Sequence, residues 1–149
     1  MNIHVVRTDG SWYARPDVTL VRDADRFCLP DDCTGALAAR CRCLRIDKAG
    51  KAVQPRFARR YFSQWAPAIC FYGMLADGST TPFLDRATWV SRDFQDVDTL
   101  PADALQRAID GLERISRHLS LRIGDFLLFE LTTPTPLRRG DTLDNISIV

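Results

Sequence analysis

The chain has 149 residues and a formal net charge of +1, so its overall charge does not favour binding to nucleic acid or to an anionic membrane. A hydrophobic fraction of 46% and a charged fraction of 26% indicate a globular chain with a sizeable core. We expect no membrane segment, because no apolar run is long enough and Met1–Arg7 does not resemble a signal peptide. Five cysteines, an odd number, indicate a reduced, cytoplasmic protein.

Short apolar runs predict a chain made mainly of β-strands. The clearest strand is Leu37–Ile46, in which small apolar residues alternate with outward-facing arginines. Further short strands or extended pieces are predicted at Ile3–Val6, Val18–Val21, Phe27–Pro30, Ala68–Tyr72, Thr88–Val90 and Phe126–Leu131. The chain contains no repeat, low-complexity segment or flexible linker, which predicts a single domain over residues 1–149.

Two segments carry the spacing of an amphipathic helix. Pro101–Leu119 has an apolar face that runs from Leu105 to Leu119, and it is predicted to be the longest helix. Pro55–Trp65 has aromatic residues at intervals of four and a proline suited to a first helical position, so a second helix is predicted there. Pro67 is expected to end it.

Three blocks of the chain, taken in order, resemble the fumarylacetoacetate hydrolase superfamily. The first is Tyr13–Leu20, Tyr-Ala-Arg-Pro-Asp-Val-Thr-Leu, in which Arg15 stands where the family has lysine. The second runs from Arg56 to Phe71 and is similar to the helix and strand that precede the family's metal-binding aspartate. The third is Ile115–Leu143, with a helix end, a Gly-Asp turn, an apolar strand, a Thr-Pro loop and a second Gly-Asp turn.

The resemblance implies an α+β, mainly β fold: a mixed β-sandwich roll with one or two packed helices. Members of the family are divalent-metal enzymes that act on small keto acids. Their Glu-x-Glu positions fall on Ala39 and Cys41, and their aspartate falls on Cys70. Because Mg²⁺ requires oxygen ligands, we expect a lost metal site, no catalytic residue and no cofactor. Cys41 and Cys70 are expected to face the same side on neighbouring strands.

Three functions remain open at this point. The first is a non-catalytic relative of the family that acts as a homodimer or as the partner of another protein. The second is a divergent hydrolase, isomerase or decarboxylase of the family, which would need Mg²⁺ or Mn²⁺. The third is a soft-metal or small-ligand site formed by the cysteines. The possible ligand pocket comprises Arg15, Cys41, Cys70, Thr132 and Thr133.

Other polar residues carry weaker signals. His118 lies at a helix C-terminus, where a structural role is the ordinary interpretation, and His4 has no identifiable role. Basic clusters occur at Arg56, Arg59 and Arg60 and again at Arg114, Arg117 and Arg122. A solvated helix face is the usual interpretation of such clusters, and a patch that binds an anionic ligand or a partner is the alternative.

Overall fold

A computed structural model describes the whole chain, Met1–Val149, and is dominated by strands. The strands are β1 (Asn2–Val6), β2 (Trp12–Pro16), β3 (Leu20–Val21), β4 (Arg26–Phe27), β5 (Cys33–Arg45), β6 (Gln64–Leu75), β7 (Thr80–Thr81), β8 (Thr88–Val90), β9 (Gln95–Asp96), β10 (Phe126–Glu130), β11 (Thr135–Leu137), β12 (Thr142–Leu143) and β13 (Ile146–Ile148). The helices are α1 (Pro55–Ala58) and α2 (Ala102–Ser116), with short 3₁₀ turns at Asp17–Thr19, Arg59–Tyr61 and Val97–Thr99. None of the helices has the length and apolar character needed to cross a membrane.

Ten strands form one mixed sheet, and three form a second, smaller sheet. The main order is β2-β1-β10-β5-β6-β8-β3, with β11 paired to β5, and β7 and β9 paired to β6. The small sheet has the order β12-β13-β4. The β1–β10 and β3–β8 pairs are parallel, whereas β5 and β6 form a long antiparallel pair. The predicted α+β, mainly β fold with packed helices is confirmed.

The main sheet is buried on both faces, so successive residues of a strand enter different parts of the core. In β10, Phe126 and Leu128 pack with the residues of β1, β5 and β6 that line the inside of the curled sheet. Leu127 and Phe129 point the other way and pack beneath α2. The small sheet covers a further part of the outer face through Phe27 and neighbouring apolar residues. This two-sided burial explains why β10 is an almost continuous apolar run.

Helix α2 lies inside the predicted segment Pro101–Leu119, and its position depends on a close approach to β1. Its buried residues include Ala104, Ala108, Leu112 and Ile115. A Cβ at Gly111 would lie 3.0 Å from Val6 Cγ2, so glycine allows the helix to sit close to the sheet.

The prediction of a helix over Pro55–Trp65 is correct for its start and wrong after Tyr61. The α-helical part ends at Ala58, a 3₁₀ turn follows, and Phe62 is already extended. Trp65 belongs to β6 and is opposite Leu44, because pairing with β5 outweighs the local helical spacing. Pro67 lies within this strand, between the segments of β6 that pair with β8 and β9, where its missing N–H breaks no ladder bond on that side.

We predict that Leu112→Ala will lower the free energy of unfolding by about 2–5 kcal/mol, because Leu112 is fully buried on the face of α2 that packs against the sheet. Leu119→Ala is the matched control, since Leu119 follows the same helix and is 38% exposed; we expect a loss below about 0.5 kcal/mol. Denaturant-induced unfolding followed by circular dichroism measures both. Equal losses would contradict the described packing of α2.

The five cysteines differ in accessibility, which gives a second test of the core. Cys28 is exposed, whereas Cys33, Cys41, Cys43 and Cys70 are buried and unbridged. We predict that a thiol reagent will label one cysteine rapidly in the native protein and the other four only in denaturant. Cys28→Ser should remove the fast phase and leave the slow one. Rapid native labelling of several thiols would show that the inner core is open.

Candidate functional site

The three positions where the family resemblance places metal ligands lie together on the inside of the sheet. Ala39 on β5 is directly opposite Cys70 on β6, and Cys41 lies two residues further along β5 on the same face. All three side chains are buried, and the Cys41 thiol donates a hydrogen bond to the Ala39 carbonyl at 3.4 Å. The two cysteines are therefore on neighbouring strands and face the same side.

Arg15 extends into this region from the edge strand β2, and it is only 1% exposed. Its Nε donates a hydrogen bond to the Tyr13 hydroxyl at 2.9 Å. One terminal nitrogen donates to the Ala87 carbonyl at 3.0 Å and to Thr88 Oγ1 at 3.1 Å. The other donates to the Phe71 carbonyl at 3.1 Å. The guanidinium thus has protein partners on every side although it is out of contact with water.

The positive charge of Arg15 lies beside Cys70. Thr88 is directly opposite Cys70 in the pairing of β8 with β6, and Phe71 is the next residue along β6. Burial acts against the charged form of Arg15, but the electrostatic influence of Cys70 and Tyr13 raises its pKa above the usual value. Arg15 therefore remains a cation inside the core.

A line of hydrogen bonds leads from Arg15 to a buried carboxyl group. The Tyr13 hydroxyl, which accepts from Arg15, donates to the Tyr72 hydroxyl at 2.9 Å. The Tyr72 hydroxyl in turn donates to Glu130 Oε1. Burial raises the pKa of Tyr13 to about 12 and raises that of Tyr72 as well. Both phenols therefore stay protonated and act as donors at neutral pH.

Glu130 ends β10 and is directly opposite Cys41 on β5, so the carboxyl group enters the same inner face. Its residue is 1% exposed, and Oε2 has no hydrogen-bond partner. Burial raises the pKa of Glu130, while the hydrogen bond from Tyr72 and the charge of Arg15 oppose that rise. The site therefore contains one carboxyl group, with one oxygen held by Tyr72 and the other unpaired.

The two thiols have different proton affinities. Burial raises the pKa of Cys41, and the neighbouring Cys70 thiol raises it further. The neighbouring Cys41 thiol lowers the pKa of Cys70, and the charge of Arg15 lowers it further, although burial opposes both effects. Cys70 is therefore the more acidic thiol of the pair, although no open path leads to it.

The predicted ligand pocket is only partly assembled. Arg15, Cys41 and Cys70 come together, but Thr132 and Thr133 are exposed on the loop that follows β10. None of the five surface cavities is lined by Arg15, Cys70 or Glu130. Cys41 borders one groove of about 210 Å³. The cluster is thus a closed part of the core and not an open pocket.

The donor atoms present do not fit a divalent metal of the family type. A hard ion such as Mg²⁺ is held octahedrally by oxygen atoms of carboxylates and water, whereas the three mapped positions offer a methyl group and two thiols. Glu130 is the only nearby carboxylate, and it is bonded to Tyr72. No group of three or more His, Cys, Asp or Glu side chains converges anywhere in the chain to hold an ion.

Sequence reasoning missed three members of the cluster: Tyr13, Tyr72 and Glu130. A signal existed for Glu130, because a single acidic residue within an apolar strand has to be buried with a partner. No comparable signal marks the tyrosines. Their hydroxyls meet only because β2 and β6 are brought together on the inside of the sheet.

The two histidines lie outside the cluster. His4 is fully buried on β1, and its Nε2 is 3.6 Å from Asp125 Oδ2. Burial lowers the pKa of His4 against the influence of Asp125, so the ring is neutral at pH 7. Asp125 also accepts from the backbone of Asn2 and Arg122, which joins β1 to the turn before β10. His118 is exposed and packs against the Trp12 ring.

Comparison with known proteins gives structural matches only. No family model and no curated sequence matches the chain. The fold is similar to fumarylpyruvate hydrolase from Pseudomonas aeruginosa, solved with Mn²⁺ and pyruvate, with a TM-score of 0.73 and 12% identity over 100% of this chain and 89% of that one. It is similar to maleylpyruvate hydrolase from Sphingobium sp. SYK-6, with a TM-score of 0.79 and 13% identity over 99% and 70% of the two chains.

A third similar structure comes from Yersinia pestis CO92 and is assigned to the fumarylacetoacetate hydrolase family. Its TM-score is 0.77, and its identity is 13% over 99% of this chain and 92% of that one. Identities this low establish the arrangement of the strands and not the activity. The resemblance predicted from the sequence is confirmed at the level of structure: the chain has the fold of the fumarylacetoacetate hydrolase family.

Proposed function

We propose that this protein is a non-catalytic relative of the fumarylacetoacetate hydrolase family and acts as a homo-oligomer or as the partner of another protein. The observation that carries the proposal is the buried cation of Arg15 beside Cys41, Cys70 and Glu130. In a metal enzyme of this fold, the equivalent strand positions would supply carboxylates to an ion. Here they supply thiols, and a protein side chain supplies the positive charge.

Electrostatics supports this assignment. A divalent ion placed between Cys41 and Cys70 would be repelled by the charge of Arg15, which no water screens. Arg15 also directs four hydrogen bonds to protein acceptors, so it has little capacity left for a substrate carboxylate. The cluster thus resembles a packed core in which charge and hydrogen bonds are balanced internally.

A role in association is supported by apolar side chains on the surface. Val18, Phe83 and Ile123 are 61%, 59% and 72% exposed, and Leu131 borders a groove formed with Trp65 and Trp89. Large exposed apolar side chains are common where proteins associate. Light scattering coupled to size-exclusion chromatography would establish whether the chain itself forms dimers.

A divergent enzyme is the second candidate, and one observation favours it. Glu130 retains an unpaired carboxyl oxygen, and hydrogen bonds connect it through Tyr72 to the half-buried Tyr13. A carboxylic acid with a raised pKa is a suitable general acid. A soft-metal site is less well supported, because only two thiols meet and Arg15 lies beside them.

We predict that the protein will not convert acylpyruvates or oxaloacetate, with or without Mg²⁺ or Mn²⁺, because no oxygen ligands hold the ion. Absorbance assays of substrate loss measure this, with a metal-loaded enzyme of the family as the positive control. Metal-dependent turnover would refute the proposal. Metal-independent turnover that Glu130→Gln abolishes would favour the divergent enzyme instead.

We further predict that restoring the lost ligands will create Mn²⁺ binding. The variant combines Ala39→Glu, Cys41→Glu, Cys70→Asp and Arg15→Lys, which places carboxylates at all three mapped positions. Its Tm should rise with Mn²⁺, because an ion that binds the folded state stabilises it, whereas the Tm of the natural protein should not change. If the variant is unfolded without metal, folding induced by Mn²⁺ serves as the same readout. A Mn²⁺-dependent Tm in the natural protein would contradict the prediction.

A further inference from the structure

A second candidate site shares no residue with the buried cluster. It is a surface cavity of about 340 Å³ between the loop Lys48–Gln54 and the segment Phe57–Tyr61. We propose that this cavity binds the diphosphate group of a small organic molecule, of which a nucleoside diphosphate is an example. The proposal does not depend on whether the buried cluster is catalytic.

The charges that line the cavity are all positive. Lys48, Lys51 and Arg60 border it, and no aspartate or glutamate does. None of the six ion pairs in the chain includes any of these three residues. In a chain whose net charge is only +1, three unpaired cations around one concavity form a local positive field that favours an anion.

Aromatic rings orient two of the cations. Lys48 Nζ lies 5.4 Å from the centroid of the Tyr61 ring, and Arg60 Cζ lies 4.9 Å from the centroid of the Phe57 ring. Such contacts restrict long side chains before a ligand arrives, which reduces the entropy lost on binding.

The loop that carries Lys48 and Lys51 is held rigidly. Gly50 and Leu121 exchange two backbone hydrogen bonds of 3.1 and 2.7 Å, and the Ala52 amide donates to the Ser116 carbonyl at 2.6 Å. Ala52 has a positive φ of 52°, which is unfavourable for a residue with a side chain. A Cβ at Gly50 would lie 2.5 Å from Tyr61 Cε1, so only glycine permits this packing. The cavity is therefore preformed.

The ligand class follows from charge and size. One phosphate monoester carries a charge of about −1.5 to −2 at pH 7, so it would leave part of the positive charge of the three cations unneutralised. The additional negative charge of a second phosphate would neutralise the remainder. Lysine and arginine both form strong charge-assisted hydrogen bonds with phosphate oxygens. The volume lies within the range of small-molecule sites, and Val53 and Phe57 provide an apolar wall for the organic part.

Isothermal titration calorimetry at low ionic strength tests the proposal with ADP, pyrophosphate and adenosine as separate ligands. We expect ADP and pyrophosphate to bind and adenosine not to bind, since the phosphates supply the main attraction. Tighter binding of ADP than of pyrophosphate would assign a contribution to the organic part. Binding of pyrophosphate without any binding of ADP would overturn the assignment to an organic diphosphate.

Variants locate the binding in this cavity. Lys48→Gln, Lys51→Gln and Arg60→Gln should each weaken ADP binding about tenfold, as expected for loss of one charge-assisted hydrogen bond. Arg138→Gln is the matched control, because it removes one exposed positive charge elsewhere and should change the affinity less than about twofold. Thermal melts verify that each variant is folded. The proposal is overturned if ADP does not bind below about 1 mM, or if Arg138→Gln weakens binding as much as the cavity variants do.

Discussion

The buried guanidinium of Arg15 is the constraint on which the inner part of the structure depends. A charge removed from water has to be surrounded by acceptors, and β2 alone cannot supply them. The acceptors come from the Phe71 carbonyl on β6, from Thr88 on β8 and from the Ala87 carbonyl before it. Arg15 therefore connects one edge of the main sheet to strands near its other edge and holds the sheet in its curled form.

The chemistry of the cluster is consistent with that constraint. Two thiols and a methyl group occupy the positions where the family resemblance places metal ligands, so these positions carry no cluster of carboxylates. The one carboxyl group, Glu130, enters from β10 and is satisfied on one oxygen by Tyr72. The fold is that of the fumarylacetoacetate hydrolase family, and the inner face of its sheet is closed around this cluster, which is the basis of the non-catalytic role proposed above.

The same fold places a different kind of site at its periphery. The cavity around Lys48 and Arg60 exists because the loop after β5 is fastened to the end of α2 and to Leu121. The charged residues of the cavity lie at the surface, where substitutions change the free energy of unfolding little. The residues of the cluster around Arg15 are buried and contact one another, so substitutions there are expected to be coupled. Binding at the periphery and a closed centre are therefore compatible in one chain.

The sequence by itself determined the strand of alternating residues at Leu37–Ile46, the amphipathic helix α2 and, through the order of three eroded blocks, the fold. The strand and the helix are readable along the chain from their periodicity, whereas the fold was indicated by the resemblance of the three blocks to a known family. Only the tertiary structure decided that Trp65 belongs to a strand and that Tyr13, Tyr72 and Glu130 form one line of hydrogen bonds with Arg15. It alone also decided that Lys48, Lys51 and Arg60 line one cavity. The physical reason is that strand register and sheet curvature bring together side chains that are distant in sequence, as Tyr13 and Tyr72 show with a separation of 59. The cavity forms because the loop after β5 is bonded to Ser116 and Leu121, and no local pattern encodes either arrangement.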